Sequence, residues 1–198
     1  MPEQILLPGF APAPKRVHRL FFAVQPDINT SARIEQLAWR LRSEYGLQDN
    51  PVDAGRLHVS LQALGDYPAV PRALVALASQ AASTVVLPPF AVSFDRVLSW
   101  SGNSLKPGRR AFVLRGGDGG AGLLVLYWAL AVALQEFGLL RTIASSFTPH
   151  LTLLYSQQRI AERTIEPVAW TIREFVLVHS RIRHKQPYAL LGRWELRD

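Results

Sequence analysis

Two stretches decide the reading of this chain: RLHVSLQALGD at Arg56–Asp66 and TPHLTLLYS at Thr148–Ser156. Each carries a histidine, then an apolar residue, then a hydroxyl residue, then leucine: His58-Val-Ser-Leu61 and His150-Leu-Thr-Leu153. Side chains alternate faces along a strand, so His58 and Ser60 project together while Leu57, Val59 and Leu61 project the other way. The same parity sets His150 and Thr152 on one face and Leu151 and Leu153 on the opposite one. Each motif thus anchors an apolar face in a core and presents an imidazole beside a hydroxyl. The motifs lie 92 positions apart, and convergence of the two strands would put two imidazoles and two hydroxyls around one cleft.

Working outward, apolar runs predict a strand at Arg19–Gln25 and a helix at Ile28–Tyr45 closed by Gly46. A motif strand at Leu57–Leu64 and a helix from about Pro71 to Ser83 follow. Strands are expected at Phe90–Trp100 and Arg110–Arg115, separated by the turn-rich SGNSLKPG. RGGDGGAG leads into a helix at Ala121–Phe137, with Asp118 as candidate N-cap. Strands at His150–Tyr155, Ile172–Arg181 and Tyr188–Leu196 complete the chain. The order is quasi-repetitive and predicts an α+β fold of two similar lobes, each an antiparallel sheet with helices, around a pseudo-twofold central cleft. Residues 1–17, with four prolines, read as a flexible N-terminal tail, and residues 18–198 as a single two-lobed domain.

Composition narrows the chemistry. There is no cysteine, which removes disulfides, thiolate metal sites and a cysteine nucleophile, and fits a reducing cytoplasm. The formal charge is +7, and 19 of the 22 basic residues are arginine, the side chain whose planar fork matches phosphate. A basic balance suits a polyanionic partner, though a solvated basic surface explains it as well. The most apolar stretch, Leu123–Leu134, is shorter than the ~20 residues that span a bilayer and reads as a buried helix.

Paired imidazoles suit phosphodiester chemistry without a metal. With an ordinary pKa near ~6.5, one ring can take a proton from an attacking oxygen while the other gives one to the leaving oxygen. The Ser60 and Thr152 hydroxyls can donate to non-bridging phosphate oxygens. One His-x-Ser/Thr in an apolar strand is a weak signal, whereas two in matching contexts are specific. His18, His179 and His184 lack the motif and read as structural or surface residues, and no metal site is expected. RGGDGGAG lacks the Gly-Lys-Ser/Thr ending of a phosphate loop and reads as a loop–helix junction. Further candidate substrate contacts are Arg56 and Arg115 for phosphate, and Phe22 and Tyr155 for base stacking. For both aromatics a place in the core competes with that role, and strict parity points Tyr155 away from His150.

With these segments, together with RLFFAVQPD at Arg19–Asp27, SFDRVLSW at Ser93–Trp100 and LVHSRIRHKQPYALLGRWEL at Leu177–Leu196, the chain resembles the 2H phosphoesterase superfamily. Within it the resemblance is to the RNA 2′,3′-cyclic phosphodiesterases, also called 2′-5′ RNA ligases. That resemblance implies hydrolysis of RNA 2′,3′-cyclic phosphate ends to a 2′-phosphate, with no metal or other cofactor. It also implies His58 as proton donor, His150 as proton acceptor, and Ser60 and Thr152 as phosphate binders. In two places the sequence departs from many relatives: Ser60 stands in place of threonine, and Tyr155 in place of an arginine. The expected partners are RNA ends or small nucleotides with a cyclic phosphate, acted on by a monomer. Competing readings are RNA joining through a 2′-5′ linkage and a nucleotide-binding module without turnover.

Overall fold

The computed structural model describes residues 15–100, 108–182, 184 and 186–198. The anticipated tail therefore falls outside the described residues through residue 14, and so does the SGNSLKPG turn through residue 107. The strands are β1 (His18–Val24), β2 (Val59–Tyr67), β3 (Phe90–Ser99), β4 (Arg110–Arg115), β5 (His150–Ser156), β6 (Arg163–Ile172), β7 (Glu174–Arg181) and β8 (Ala189–Glu195). The helices are α1 (Ile28–Glu44), α2 (Arg72–Ser83) and α3 (Ala121–Glu136), with short 3₁₀ turns at Ala54–Arg56 and Asp118–Gly120.

All eight strands join one sheet in the order β6-β3-β4-β5-β2-β1-β7-β8. Every recorded pairing is antiparallel. The sheet divides into two four-stranded halves, β6-β3-β4-β5 and β2-β1-β7-β8, joined among the described residues by the ladder pair Val59–Leu151. The expected α+β fold with two similar lobes takes this form: the motif strands β2 and β5 lie side by side at the seam, one from each half.

One face of the sheet packs on the helices. Phe22, Val24, Val59, Leu61, Leu151 and Leu153 join Ile34 and Leu41 of α1 and Leu126 and Leu130 of α3 in a continuous core. The other face carries a smaller buried cluster of Phe21, Ala23, Val176 and Val178, with Tyr188 and Leu190 packed on it. β1 is buried through Leu20–Val24 because it is covered on both faces, which explains its unbroken apolar run. The helices cross the seam. α1 leaves the β1 half yet packs against β5 and β6, and α3 leaves β4 yet packs against β2. Val52 N–H, in the segment after α1, donates to the Leu153 carbonyl at 2.7 Å.

Local chemistry sets the helix ends. The Asp27 carboxylate caps α1, accepting from Thr30 N–H at 2.9 Å and Thr30 Oγ1 at 2.7 Å. Gly46, at φ 62°, ends α1: its own N–H reaches the Ser43 carbonyl (3.2 Å) and the Leu47 N–H reaches Arg42 (2.9 Å).

Three expectations needed correcting. β6 was not anticipated. Pro167 interrupts its donor series and most of its residues are exposed, both tolerated because it is an edge strand paired only with β3. The cap position of α3 is Gly120 rather than Asp118, which belongs to the preceding 3₁₀ turn. And α3 is buried on one side only, with Val125, Trp128 and Val132 exposed along a stripe. The glycine-rich segment before α3 is a packing junction. A Cβ on Gly116 would meet the Ser93 carbonyl oxygen at 2.5 Å, and one on Gly122 would meet the Phe90 ring at 2.2 Å. Among the described residues no helix is long and apolar enough to cross a membrane.

Candidate active site

The parity argument holds at both motifs. Val59, Leu61, Leu151 and Leu153 are buried in the helix-side core, while His58, Ser60, His150 and Thr152 keep solvent access. His58 sits one position before β2 and His150 opens β5. Antiparallel pairing of Val59 with Leu151 sets His58 across from Thr152, and Ser60 across from His150, when the register is continued by one residue. That register sets each histidine opposite the hydroxyl-bearing position of the other motif.

Both rings are anchored alike. His58 Nδ1–H donates to the Arg56 carbonyl at 2.8 Å and His150 Nδ1–H to the Thr148 carbonyl at 2.9 Å. A carbonyl only accepts, so each Nδ1 keeps its hydrogen and each Nε2 is left as the group that gains or gives a proton.

The surroundings of the two rings differ. Phe21 lies 5.1 Å from His58 at a tilt of 42°, and Tyr188 meets it edge-on at 5.4 Å. Trp100 stacks on His150 at 4.3 Å with 18° between the planes. Burial is the main cause that pushes His58 down to about 4, with His150 and the Arg56 guanidinium pushing the same way and the Arg56 carbonyl opposing. Burial also holds His150 below the usual imidazole value, against the pull of the Thr148 carbonyl. Burial thus favours the neutral form of both rings, and His150 lies within electrostatic reach of His58.

Arg56 reaches the site. Its guanidinium lies over the Tyr188 ring at 4.7 Å and donates to the His184 carbonyl at 2.9 Å. Arg115 is the cross-strand neighbour of His150, and its guanidinium lies 3.6 Å from Glu162. Phe22 does not reach the cleft: it is fully buried on the helix side against Phe175 and Trp194, so its candidacy as a stacking group is withdrawn. The strand neighbour Phe21 takes the cleft position, as alternation requires once Phe22 is assigned to the core.

Tyr155 reverses the parity expectation. One step on β4, Val113 to Phe112, spans two on β5, Thr152 to Leu154, so β5 carries an extra residue. Leu153 and Leu154 both turn into the core, and Tyr155 returns to the face of His150 and Thr152. β2 slips in the same way: Ala23 faces Ser60 and Phe21 faces Ala63, which turns Leu61 and Gln62 both inward. Burial holds the Tyr155 hydroxyl above the usual phenol range, with Tyr188 adding to this and Arg19 and Arg56 opposing. Tyr155 thus shares a neighbourhood with those three residues.

The other histidines stand outside the two motifs in sequence, though the His184 carbonyl accepts from Arg56. His18 and His179 stack at 5.0 Å and share a 2.8 Å contact between Nδ1 and Nε2. Among the described residues no group of three or more His, Cys, Asp or Glu could hold a metal ion. An open cavity of about 1330 Å³ beside the start of α1 contains neither motif histidine. Asp27, already engaged as the α1 cap, and Arg193, paired with Glu174 at 2.6 Å, both line it.

Trp100 and Tyr188 escaped the sequence reading. Both occur in segments that carry the family resemblance, but neither sits on a motif strand, so alternation gave no signal for them.

Comparison with known proteins places these features in context. The model of the 2′-5′ RNA ligase superfamily matches residues 21–182. A solved structure described as a phosphoesterase is 25% identical, with a TM-score of 0.69, and the match covers 91% of this chain and 99% of that one. E. coli LigT complexed with 3′-AMP is 26% identical, with a TM-score of 0.65, over 92% of this chain and 99% of that one. E. coli LigT in apo form, at 24% identity and a TM-score of 0.68 over 93% and 100% of the two chains, shares the fold. No curated protein matches the chain.

Proposed function

The chain belongs to the 2′-5′ RNA ligase superfamily, whose model spans residues 21–182, and from that premise we propose that it hydrolyses RNA or nucleotide 2′,3′-cyclic phosphates to 2′-phosphomonoesters. The observation that carries this reading is the matched pair of imidazoles, each anchored through Nδ1 to the carbonyl two residues before it, on the two strands that pair at the seam. Residues 18–198 act as one two-lobed unit in this reading.

The cyclic phosphate lies between the rings, and the Ser60 and Thr152 hydroxyls donate to its non-bridging oxygens, where charge accumulates in the transition state. Nε2 of His150 takes a proton from water as the water oxygen bonds to phosphorus. The bond from phosphorus to the 3′ oxygen breaks on the opposite side, and protonated His58 gives that oxygen a proton. The product keeps its phosphate on the 2′ oxygen. Each proton transfer contributes typically about 10²–10⁴ in rate, and none of these steps calls on a metal. Support for a nucleotide ligand comes from LigT, 26% identical to this chain and crystallised with 3′-AMP.

The test is to incubate the protein with RNA bearing a 2′,3′-cyclic end and to identify the product. A 2′-phosphate end is expected. A 3′-phosphate, or an unopened ring after long incubation, refutes the assignment, and a joined strand with a 2′-5′ linkage assigns the reverse transfer instead.

A further inference from the structure

Helix α3 has a face that the rest of the chain leaves uncovered. Leu123, Leu126, Leu130 and Leu134 turn into the core, while Leu124, Val125, Trp128 and Val132 form a stripe on the opposite side. Val125 is 54% exposed, Val132 46% and Trp128 38%. The neighbouring helix α2, packed beside α3, adds Leu77. Five of the eight large apolar side chains exposed among the described residues thus sit on this one pair of helices.

A surface helix ordinarily turns charged and polar residues to water, and a helix that is apolar all round is one that is covered all round. From Ala121 to Leu134, α3 has no charged residue on any side, and its only side-chain hydrogen-bonding groups are the Tyr127 hydroxyl and the Trp128 indole. Its composition is that of a fully covered helix, yet a single chain covers half of it.

Area and charge favour a second copy of the chain as the cover. The five side chains expose on the order of 400 Å², about half of the ~800 Å² that each partner buries in a stable complex. Ala73, Gln80, Ala121 and Gln135, all exposed, enlarge the patch with small or uncharged residues. A chain of net charge +7 repels its own copies wherever arginines would meet. Between Gly116 and Leu140 the only charged residues are Asp118 and Glu136, so no arginine or lysine meets its like there. A twofold axis sets the same patch on both sides, and an uncharged apolar stripe is complementary to itself. A helix that lies on a membrane surface instead carries Lys or Arg along its polar face, and α3 has neither.

We infer that the α2–α3 face is the interface of a twofold homodimer, in which the α3 stripe of one copy packs against that of the other. This departs from the monomer expected from the sequence. The helices cover the sheet face away from His58 and His150, so both clefts stay open in the pair, and the inference is independent of the activity proposed for them.

The experiment is sedimentation equilibrium of the full chain from roughly 1 to 300 µM, a range that brackets a micromolar dissociation constant. A mass of twice 22.1 kDa is expected at the upper end. Val125→Glu sets two carboxylates in an apolar seam and should weaken association at least about a hundredfold, with the far-UV circular dichroism unchanged. If that variant does not fold, Val132→Lys decides the matter in the same way. Ile28→Glu, exposed on α1 and outside the patch, should leave the dimer as it is. A wild type that stays at 22.1 kDa throughout overturns the inference, as does a dimer indifferent to the α3 substitution or weakened equally by Ile28→Glu. A monomer that instead cosediments with vesicles of phosphatidylserine and phosphatidylcholine gives the face to a membrane and overturns it too.

Discussion

A proton donor at neutral pH must carry its proton, yet burial pushes His58 down to about 4. The proposed mechanism resolves this only if the substrate itself supplies the missing stabilisation. A phosphate anion about 4 Å from the ring, at an effective dielectric of about 20, stabilises the imidazolium by about 4 kcal/mol. At about 1.4 kcal/mol per pH unit, that raises the midpoint by about 3, to about 7. The perturbation is the addition of saturating adenosine 2′-monophosphate, and the assay is an NMR titration of the imidazole resonances, with the His58 signal assigned by its loss in His58→Gln. The expected outcome is a midpoint well below 6.5 without ligand that climbs by roughly two to three pH units with it. Calorimetry in buffers of different ionisation enthalpy should then show a proton taken up on binding at pH 6. A His58 that titrates near 6.5 in the free protein refutes the burial argument. A midpoint that moves by less than about one pH unit on binding refutes the placement of the phosphate beside it.

Four further outcomes follow from the same geometry. Replacing His58 or His150 by Ala should lower kcat by about 10²–10⁴ with the far-UV circular dichroism unchanged, and a smaller loss in both removes the acid–base pair. Thr152→Ala should weaken binding of inorganic phosphate roughly tenfold, and Thr152→Ser should restore it, as isothermal calorimetry will show. Phe22→Ala should cost about 3–5 kcal/mol in denaturant unfolding, because Phe22 is a wholly buried core residue, and an effect on substrate affinity alone would return it to the site. Because the folded-state pKa of His58 lies below its unfolded value, the unfolded chain binds more protons, so stability is fully present above pH 6.5 and falls as the pH drops toward about 4. The loss is at most about 3 kcal/mol, less where solvent reaches the ring, and His58→Gln should flatten that part of the stability curve measured by urea unfolding.

The sequence made the motif strands, the faces of their side chains and the symmetry of the fold legible, because alternation and capping are local rules. His58, Ser60, His150 and Thr152 were all placed correctly relative to the cores by parity alone. Tyr155 was named as a candidate contact, but strict parity set it on the wrong face, because an extra residue in β5 changes the count and nothing in LTLLYS marks Leu153 as the irregular position. β6 was missed because an edge strand with Pro167 and few buried residues has a loop's composition. Tyr188 and Trp100 reach the imidazoles through tertiary contacts, which alternation along a single strand does not encode.

The single ladder pair at Val59–Leu151 has a mechanical consequence. One cross-strand pair resists bending poorly, so the separation of the two imidazoles is governed by the angle between the halves rather than by residues beside the rings. That angle is braced from behind: α1 leans on β5 and β6, α3 on β2, and the Glu44–Arg163 ion pair ties the end of α1 to the far edge strand. Turnover should therefore respond to packing on the helix-covered face, where a slimmer side chain in α1 or α3 lets the jaws rest at a different gape without touching any group that meets the substrate.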